Sequence, residues 1–334
     1  MNDLSLKERW QLLRDEEPGI RTRNAARRLD VSELELLCTE LDSTVTHLVD
    51  DFRSLLLRME ETEHVMALTR NDHCVHEVKG HYTKVSFSDS SAHGLVLADN
   101  IDLRLFMNRW AYGVAVETPW KGGLRRSFQF FDSAGTAVHK IYMTNRTNLE
   151  AYQTLVDDFR AAEPPAMDLD PVAPPADIEP DESIDVAGFK EAWRNLRDTH
   201  DFFGMLRRFG VRRDQAMRLA PDEMVDPLDP AVVVDLLEEI RDSETPLMVF
   251  AGNWGCIQIF TGRINKLVET GPWYNILDPG FNLHLKTGAV DRAFRVRKPT
   301  DDGIVTSLEL QDEMGQPIAR FFGERKPGQA EDPN

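Results

Sequence analysis

The sequence predicts an α+β protein with mainly antiparallel sheets, made by tandem duplication of one α+β unit. Three observations predict this architecture. An acidic, proline-rich segment divides the chain almost in half, segments of the first half recur in order in the second, and each half passes from helical periodicity to strand-like alternation. Helices that precede a block of hairpin-linked strands are typical of the α+β class.

The dividing segment comprises residues 163–184. It contains six prolines, at positions 164, 165, 171, 174, 175 and 180, among many aspartate, glutamate and alanine residues. Such a composition buries too little apolar area to offset the entropy lost on ordering, so we expect a linker. The predicted domains are therefore an N-terminal repeat at 1–162 and a C-terminal repeat at 185–334.

Recurring segments support the duplication. They keep their order and a nearly constant offset of about 180 residues, which is too long for a solenoid repeat and is typical of domain duplication. The matched pairs are Leu6–Trp10 with Phe189–Trp193, Arg27–Val31 with Arg207–Val211, His64–Leu68 with Pro246–Phe250, Asn100–Arg104 with Gly280–His284, and Ser127–Gly135 with Ser307–Gly315.

Within each repeat the pattern changes from a helical to a strand period. Helical periodicity dominates residues 3–60 and 185–242. Two D-x-x-G sequences, Asp132–Gly135 and Asp312–Gly315, stand between strand-like segments and predict hairpin turns. The strand-like segments of the first half are 64–79, 82–88, 94–98, 111–117, 126–131 and 136–143.

The composition is that of an ordinary globular protein with an acidic balance. Hydrophobic residues make up 41% and charged residues 29%, and the net charge is 39 − 57 = −18. Nucleic acid is therefore not an expected partner, because phosphate binding needs a basic surface. A small anionic ligand needs only a local basic pocket and stays possible.

Compartment and thiol chemistry follow from what the sequence lacks. No apolar run reaches 18 residues and the first residues lack a signal-peptide core, so we expect a cytoplasmic protein that is not membrane-embedded.

Cys38, Cys74 and Cys256 lie far apart without C-x-x-C pairing. They are predicted to be reduced thiols and not a disulfide framework or a zinc site.

One histidine stands on an apolar stripe at the start of the second half. His200 lies midway in a gap of seven between Leu196 and Phe203, and its aligned residue in the first half is Glu17. Helical spacing predicts a buried position. His200 is then either a core histidine or a metal or cofactor ligand such as a proximal haem ligand, since Phe202 and Phe203 provide apolar surroundings. The stripe consists of Val186, Phe189, Trp193, Leu196, Phe203 and Leu206.

Basic residues interrupt apolar segments of this acidic chain. Each one has an ordinary interpretation as a solvated strand or helix end, but together they would provide counter-charges for a dianionic ligand such as haem. They are Arg104, Arg207, Arg208, Arg212, Arg213, Arg297, Lys298, Arg325 and Lys326.

Other kinds of site are disfavoured. The chain lacks the GxGxxG, P-loop and G-x-S-x-G motifs. His73 and His76 stand three apart in a strand-like segment, where they would face opposite sides, so joint metal binding is not expected.

Many short motifs, in order across residues 20–328, resemble one bacterial family: the haem-utilisation proteins of the HemS/ChuS/ShuS/PhuS type, often named hemin-degrading factors. The motifs are Ala25–Leu29, Val65–Asn71, Ile101–Arg104, Asp198–Phe203, Gly271–Trp273, Leu277–Pro279, Phe281–His284, Val296–Thr300 and Phe321–Gly328.

The resemblance implies a fold and a ligand. Each half is expected to carry a large antiparallel sheet with flanking helices, the sheets stacking in the core, with haem in a cleft between the halves. His200 matches the axial iron ligand, and Arg104 matches the arginine that faces the other side of the iron, commonly through water. The resemblance also implies propionate contacts from Lys298 and Arg325, a pocket position for Arg213, porphyrin packing by Phe106 and Phe203, and a structural role for His284.

Two uses of haem fit the resemblance. One is oxidative degradation by an enzyme like haem oxygenase, with an external electron donor and release of iron for iron acquisition. The other is haem transport from the inner-membrane importer to a separate haem oxygenase. A third interpretation, from another class, is a ligand-free scaffold in which His200 is a core residue.

Overall fold

The structure is a computed structural model that describes residues 4–41, 43–90, 92–120, 122–163, 167–171 and 180–324 of the 334-residue chain. The described residues form two compact units. The first unit takes its residues from 1–69, 77–173 and 253–258, and the second takes them from 70–76, 174–252 and 259–334.

The α-helices in this part of the chain are α1 (Leu6–Glu16), α2 (Thr22–Leu29), α3 (Glu33–Cys38), α4 (Phe52–Leu57), α5 (Leu149–Asp158), α6 (Val186–Arg194), α7 (Asp201–Phe209), α8 (Arg213–Leu219) and α9 (Val232–Asp242). None of the helices in the described ranges is both long enough and apolar enough to span a membrane.

The strands are β1 (Val45–His47), β2 (Glu63–Arg70), β3 (Cys74–His81), β4 (Val85–Phe87), β5 (His93–Leu97), β6 (Asp102–Phe106), β7 (Tyr112–Trp120), β8 (Gly123–Phe131), β9 (Ala137–Thr147), β10 (Val225–Leu228), β11 (Leu247–Gly252), β12 (Cys256–Gly262), β13 (Leu267–Thr270), β14 (Trp273–Leu277), β15 (Phe281–Leu285), β16 (Arg292–Thr300), β17 (Gly303–Gln311) and β18 (Pro317–Gly323). Across the described ranges they form two nine-stranded antiparallel sheets. The predicted α+β class with large antiparallel sheets is confirmed.

The two units repeat the same strand ladders. In the first unit β1 pairs with β7, β7 with β8, β8 with β9 and β9 with β2, all antiparallel. In the second unit β10, β16, β17, β18 and β11 pair in the corresponding order. Each unit also contains a three-stranded ladder, β4–β5–β6 in the first and β13–β14–β15 in the second.

The predicted hairpin turns at Asp132 and Asp312 are built alike. The Asp132 carboxylate accepts hydrogen bonds from the backbone N–H groups of Ala134 at 3.0 Å and Thr136 at 2.8 Å. The Asp312 carboxylate accepts the two corresponding bonds at the same two lengths. An aspartate that bonds its own turn explains why the local sequence was sufficient to predict both hairpins.

Gly135 makes the first of these turns sensitive to substitution. Its φ is +74°, and a Cβ atom there would lie 2.5 Å from the Ser32 hydroxyl, which caps α3. We expect Gly135→Ala to lower the free energy of unfolding by about 2–3 kcal/mol, because left-handed strain adds to a disturbed cap. Gly271→Ala, at φ +56° with no atom within 4 Å, is the matched control and should cost only about 1–2 kcal/mol in urea unfolding. Equal losses would contradict the steric argument.

Local strand propensity produced differences from the predicted elements. Strands β1 and β10 lie inside segments predicted to be helical, because β-branched runs such as Thr44-Val45-Thr46 pair with β7. The predicted segment 64–79 contains two strands, separated where Asn71 accepts backbone hydrogen bonds from His73 and Cys74. Strand β6, which carries Arg104, was not among the predicted strand-like segments.

Part of the predicted linker lies against the first unit. Leu169 packs on the apolar cluster around Val45 and Phe131, and the Asp170 N–H donates to the Ser133 carbonyl at 2.9 Å. Residues 164–166 and 172–179, with four of the six prolines, fall outside the described residues. The domain bounds at 162 and 185 stay predictions.

Aromatic packing fixes the start of the second repeat. Helix α6 buries Phe189 and Trp193 completely. The Trp193 indole N–H donates to the Arg297 carbonyl on β16 at 3.0 Å, and its ring meets Phe202 of α7 edge-on with centroids 4.7 Å apart. One tryptophan therefore connects α6, α7 and β16, which carry several of the predicted site residues.

Candidate functional site

His200 lies in a turn and not on a buried helical stripe, so the prediction for its environment was wrong. Helix α6 ends at Arg194 and α7 begins at Asp201, and the His200 side chain is 85% exposed. At the end of α6 the Asn195 side-chain amide donates to the Glu191 carbonyl at 2.8 Å, and further on the Asp198 carboxylate accepts the His200 backbone N–H at 2.8 Å, which favours a turn. A core histidine is therefore excluded as the role of His200.

The break in the helix also changes the comparison with the first repeat. Glu17 follows the last residue of α1 and forms an ion pair with Arg28, whereas His200 immediately precedes α7. The two residues aligned by sequence are therefore not equivalent in the structure. The connection between the helices is one residue longer in the second repeat, five residues (17–21) against six (195–200).

A short polar contact orients the His200 ring. Its Nδ1 lies 2.6 Å from Asp198 Oδ1. Because an ionised carboxylate only accepts hydrogen bonds, Nδ1 is the protonated nitrogen in this contact. Nε2 is then left with the lone pair that a metal ligand needs.

The two phenylalanines after His200 have different environments. Phe202 is buried, with Lys298 Nζ 4.6 Å and the Arg213 guanidinium 5.4 Å from its ring centroid. Phe203 is 63% exposed, so the predicted apolar stripe does not continue through it. The Arg207 guanidinium lies 5.1 Å from the Phe203 ring centroid. Most of the Phe203 ring is nevertheless in contact with solvent.

A buried carboxylate holds the predicted basic residues together. Lys298 is 4% exposed and its Nζ lies 2.8 Å from Glu309 Oε1, while Arg213 contacts the other carboxylate oxygen at 2.6 Å. Arg320 stands opposite Glu309 in the β17–β18 register. We call Lys298, Arg213, Arg320 and Glu309 the basic cluster. Three cations and one carboxylate give it a formal charge of 3 − 1 = +2.

The pKa values within the basic cluster follow from burial and mutual repulsion. Burial, partly opposed by Glu309, lowers the pKa of Lys298 to about 8. Burial and the Arg213 charge lower the pKa of Arg320 to about 10. Burial alone would raise the pKa of Glu309, but the three cations hold it well below its usual range. A largely desolvated excess of positive charge is suited to binding a ligand with more than one negative charge.

Arg104 and Phe106 share one face of β6 in the first unit. Residues 102, 104 and 106 are partly buried, whereas Leu103 and Leu105 between them are fully buried. Arg104 forms an ion pair with Asp102 and donates to the Leu103 carbonyl at 3.3 Å. Its side chain is 33% exposed, so the guanidinium keeps contact with solvent.

Arg325 and Lys326 lie outside the described residues. His284 contacts the Asn275 side-chain oxygen at 2.6 Å through Nδ1, and its structural role stays a prediction. His76 is buried and contacts the Val249 carbonyl, while His73 lies 3.6 Å from Asp312. Within the part of the chain that the structure describes, no three His, Cys, Asp or Glu side chains are grouped to hold a metal ion.

The three cysteines are free thiols, as predicted. Burial raises the pKa of Cys74 and of Cys256 to about 12, and burial together with the Glu35 charge does the same for Cys38. None of these thiols is poised to ionise at neutral pH.

Sequence reasoning missed Asp198, Glu309 and Arg320. The signal for Glu309 was a carboxylate inside the otherwise apolar segment Leu308–Leu310. A carboxylate that is buried in such a segment needs a cation as its partner. The signal for Asp198 was its position two residues before His200, which is typical of a side chain that bonds its own turn.

The protein is a duplicated α+β fold that carries an exposed histidine and a buried basic cluster, and comparison with known proteins identifies its class. The chain belongs to the family described as the haemin-degrading HemS.ChuX domain. The family model matches it twice, at residues 30–159 and 210–333, in agreement with duplicated halves.

Individual relatives match over most of their length. The hemin transport protein HmuS of Yersinia pestis is 37% identical over 328 residues, covering 98% of this chain and 94% of the relative. The structure of holo-PhuS, a heme-binding protein from Pseudomonas aeruginosa, is 43% identical with a TM-score of 0.95, covering 98% and 95% of the two chains. The heme-degrading enzyme ChuS of Escherichia coli O157:H7 is 33% identical with a TM-score of 0.91, covering 98% and 96%.

Proposed function

We propose that this protein binds haem through His200 Nε2 and serves in haem-iron acquisition. The observation that carries the proposal is the joint position of two features around Phe202: an exposed imidazole with Nε2 left for ligation, two residues before that ring, and a basic cluster of formal charge +2 packed against it. Haem carries an iron that accepts imidazole nitrogen and two propionates that need cations, so the donor set fits it.

The predicted site residues of the second unit have separate roles in haem binding. His200 donates the Nε2 lone pair to the iron, and Lys298 and Arg213 bind propionate oxygens at the expense of part of their contact with Glu309. Phe203 offers exposed apolar surface for the porphyrin. Arg325 retains its predicted propionate contact on the strength of the family resemblance alone.

Arg104 and Phe106 of the first unit keep their predicted roles on the strength of the family resemblance. The Arg104 guanidinium, partly exposed and steadied by Asp102, is a fixed donor that can bond water or an oxygen ligand. Bound haem would supply the oxidative chemistry, with dioxygen as the oxidant and electrons from an external donor. We propose oxidative degradation with iron release in the cytoplasm as the use of this site, and delivery of intact haem from the importer to a haem oxygenase as the alternative.

Hemin titration of the purified protein tests the binding proposal. We expect a Soret band that saturates at one haem per chain. A titration indistinguishable from hemin in buffer would overturn haem binding and favour the scaffold interpretation.

Reaction in air separates the enzyme from the carrier. Ascorbate or a reductase is added to the haem-loaded protein in the presence of catalase, which removes free peroxide. Decay of the Soret band with a tetrapyrrole product and released iron supports degradation. A stable band, with haem passing to an added haem oxygenase, supports the carrier.

Haem affinity should fall as the pH rises through the pKa of Lys298, about 8 in the free protein. A propionate favours the protonated amine and raises its pKa in the complex, so binding takes up a proton above pH 8 and is strongest below it. Affinity should fall by about tenfold for each pH unit over the range between the free and bound pKa values. Competitive hemin titrations from pH 7 to 10 measure this slope, and Lys298→Met should lose it. An unchanged slope in that variant would assign the pH dependence elsewhere.

A further inference from the structure

We propose that Asp198 is a positioning residue for His200, which selects the ring tautomer that leaves Nε2 able to bind iron. The proposal rests on the haem-binding function proposed above. Asp198 Oδ1 accepts two hydrogen bonds from the same residue, one from the His200 backbone N–H at 2.8 Å and one from Nδ1 at 2.6 Å. One carboxylate oxygen therefore fixes both the turn and the ring.

The tautomer matters because only an unprotonated nitrogen binds a metal. In a neutral imidazole only one of the two ring nitrogens carries the proton. A hydrogen bond from one nitrogen to an acceptor keeps the proton on that nitrogen and leaves the other free to bind a metal. An imidazole that is 85% exposed has little packing to restrict it, so the Asp198 contact is the main restraint on its orientation. A carboxylate behind a metal-bound histidine also raises the basicity of the ligand.

The geometry distinguishes Asp198 from the carboxylate beside it. Asp201 is the first residue of α7, and its backbone N–H donates to the Asp198 carbonyl at 3.1 Å. The backbone N–H and the Nδ1 atom of His200 both contact the Asp198 carboxylate. Asp201→Asn therefore removes the same charge one residue from His200 without touching the His200 contact, which makes it the matched control.

The first test needs no haem. NMR of the free protein with ¹⁵N-labelled histidine, at about pH 8.5 where ordinary imidazoles are neutral, reports the tautomer from the two ring nitrogen shifts. We expect the Nδ1–H form to predominate at His200 in the wild-type protein and in Asp201→Asn. Asp198→Ala should move the equilibrium towards the Nε2–H form. Unchanged shifts in Asp198→Ala would overturn the proposal.

The second test uses the haem-loaded protein. Resonance Raman spectra of the reduced complex give the iron–histidine stretching frequency, which falls when the ligand becomes less basic. We expect a lower frequency and an affinity loss of about 10–100-fold in Asp198→Asn, which keeps an oxygen acceptor but loses the charge. Asp201→Asn should match the wild type. An unchanged frequency in Asp198→Asn would overturn a role for its charge.

The two tests separate this proposal from the haem-binding proposal. If His200→Ala binds hemin as the wild type does, the axial assignment fails, while the tautomer result in the free protein still stands or falls by itself. If His200 is the ligand but both Asp198 variants behave as wild type, only the positioning role is overturned. Asp198 is exposed but accepts a backbone hydrogen bond in the turn, so its substitution should lower the free energy of unfolding by about 0.5–1.5 kcal/mol and leave the protein folded.

Discussion

Replacing His200 with alanine is expected to remove the wild-type Soret band and to weaken hemin binding by more than about 100-fold. Loss of an outer-shell partner of a metal ligand costs about 10–100-fold, and loss of the ligand itself should cost more. The side chain is 85% exposed, so the variant should unfold within about 0.5 kcal/mol of the wild type. Hemin titration and urea unfolding, carried out on the same preparation, separate lost ligation from lost structure.

Two additions sharpen this experiment. His81→Ala removes another exposed histidine, on β3, and should leave the titration unchanged. Free imidazole should partly restore the Soret position in His200→Ala, because it can occupy the space that the side chain leaves. Wild-type affinity in His200→Ala would mean that the iron takes its ligand from a different residue.

The contrast between the turns and the His200 segment shows what a sequence pattern can predict. Asp132 and Asp312 each bond to backbone groups within four residues, so all the information for the turn is local. The apolar residues between 186 and 206 keep a helical spacing in the sequence although the helix is interrupted between Arg194 and Asp201. Two apolar residues seven positions apart fit a helical pattern whether or not the chain between them is helical. That spacing does not show the local side-chain contacts around the break, where the Asn195 amide donates to the Glu191 carbonyl and the Asp198 carboxylate accepts the His200 N–H.

The basic cluster could not be predicted in the same way. Lys298 stands opposite Val305 in the β16–β17 register and Glu309 stands opposite Phe294, so the ion pair depends on a long side chain that reaches along the strand. Arg213 comes from α8, 96 positions before Glu309. Lys298 and Arg213 were identified individually, but Arg320 and the common carboxylate required the register of three strands and one helix.

The duplication shows how one scaffold came to carry two kinds of charge arrangement. In the first unit Glu33, at the start of α3, forms a buried pair with Lys140 on β9. At an offset of 180, about the repeat length, these positions correspond to Arg213 and Arg320, and Gln129 corresponds to Glu309. The first unit therefore pairs a carboxylate on the helix with a cation on the strand, whereas in the second unit both of these positions are cations and the carboxylate lies on β17.

That surplus makes Glu309 the residue with the largest expected effect on stability. Glu309→Gln keeps the side-chain shape but leaves Lys298, Arg213 and Arg320 facing one another with no carboxylate among them. Removing one partner of a buried ion pair costs about 3–5 kcal/mol, and we expect a loss of that size in the urea unfolding of the haem-free protein. Lys298→Met in the Glu309→Gln background should recover part of the loss, since it removes one of the repelling charges.

The pH dependence gives this prediction a sign. Glu309 raises the pKa of Lys298 against the effect of burial, so its removal should lower that pKa below its present value of about 8. The folded Glu309→Gln variant then binds fewer protons than the unfolded chain up to about pH 10, where lysine ordinarily titrates. Its stability relative to the wild type should therefore rise as the pH increases towards 8 and level off above it, where Lys298 is neutral in both folded proteins. A variant that unfolds at the wild-type urea concentration, with no such rise, would show that Glu309 does not hold the basic cluster together.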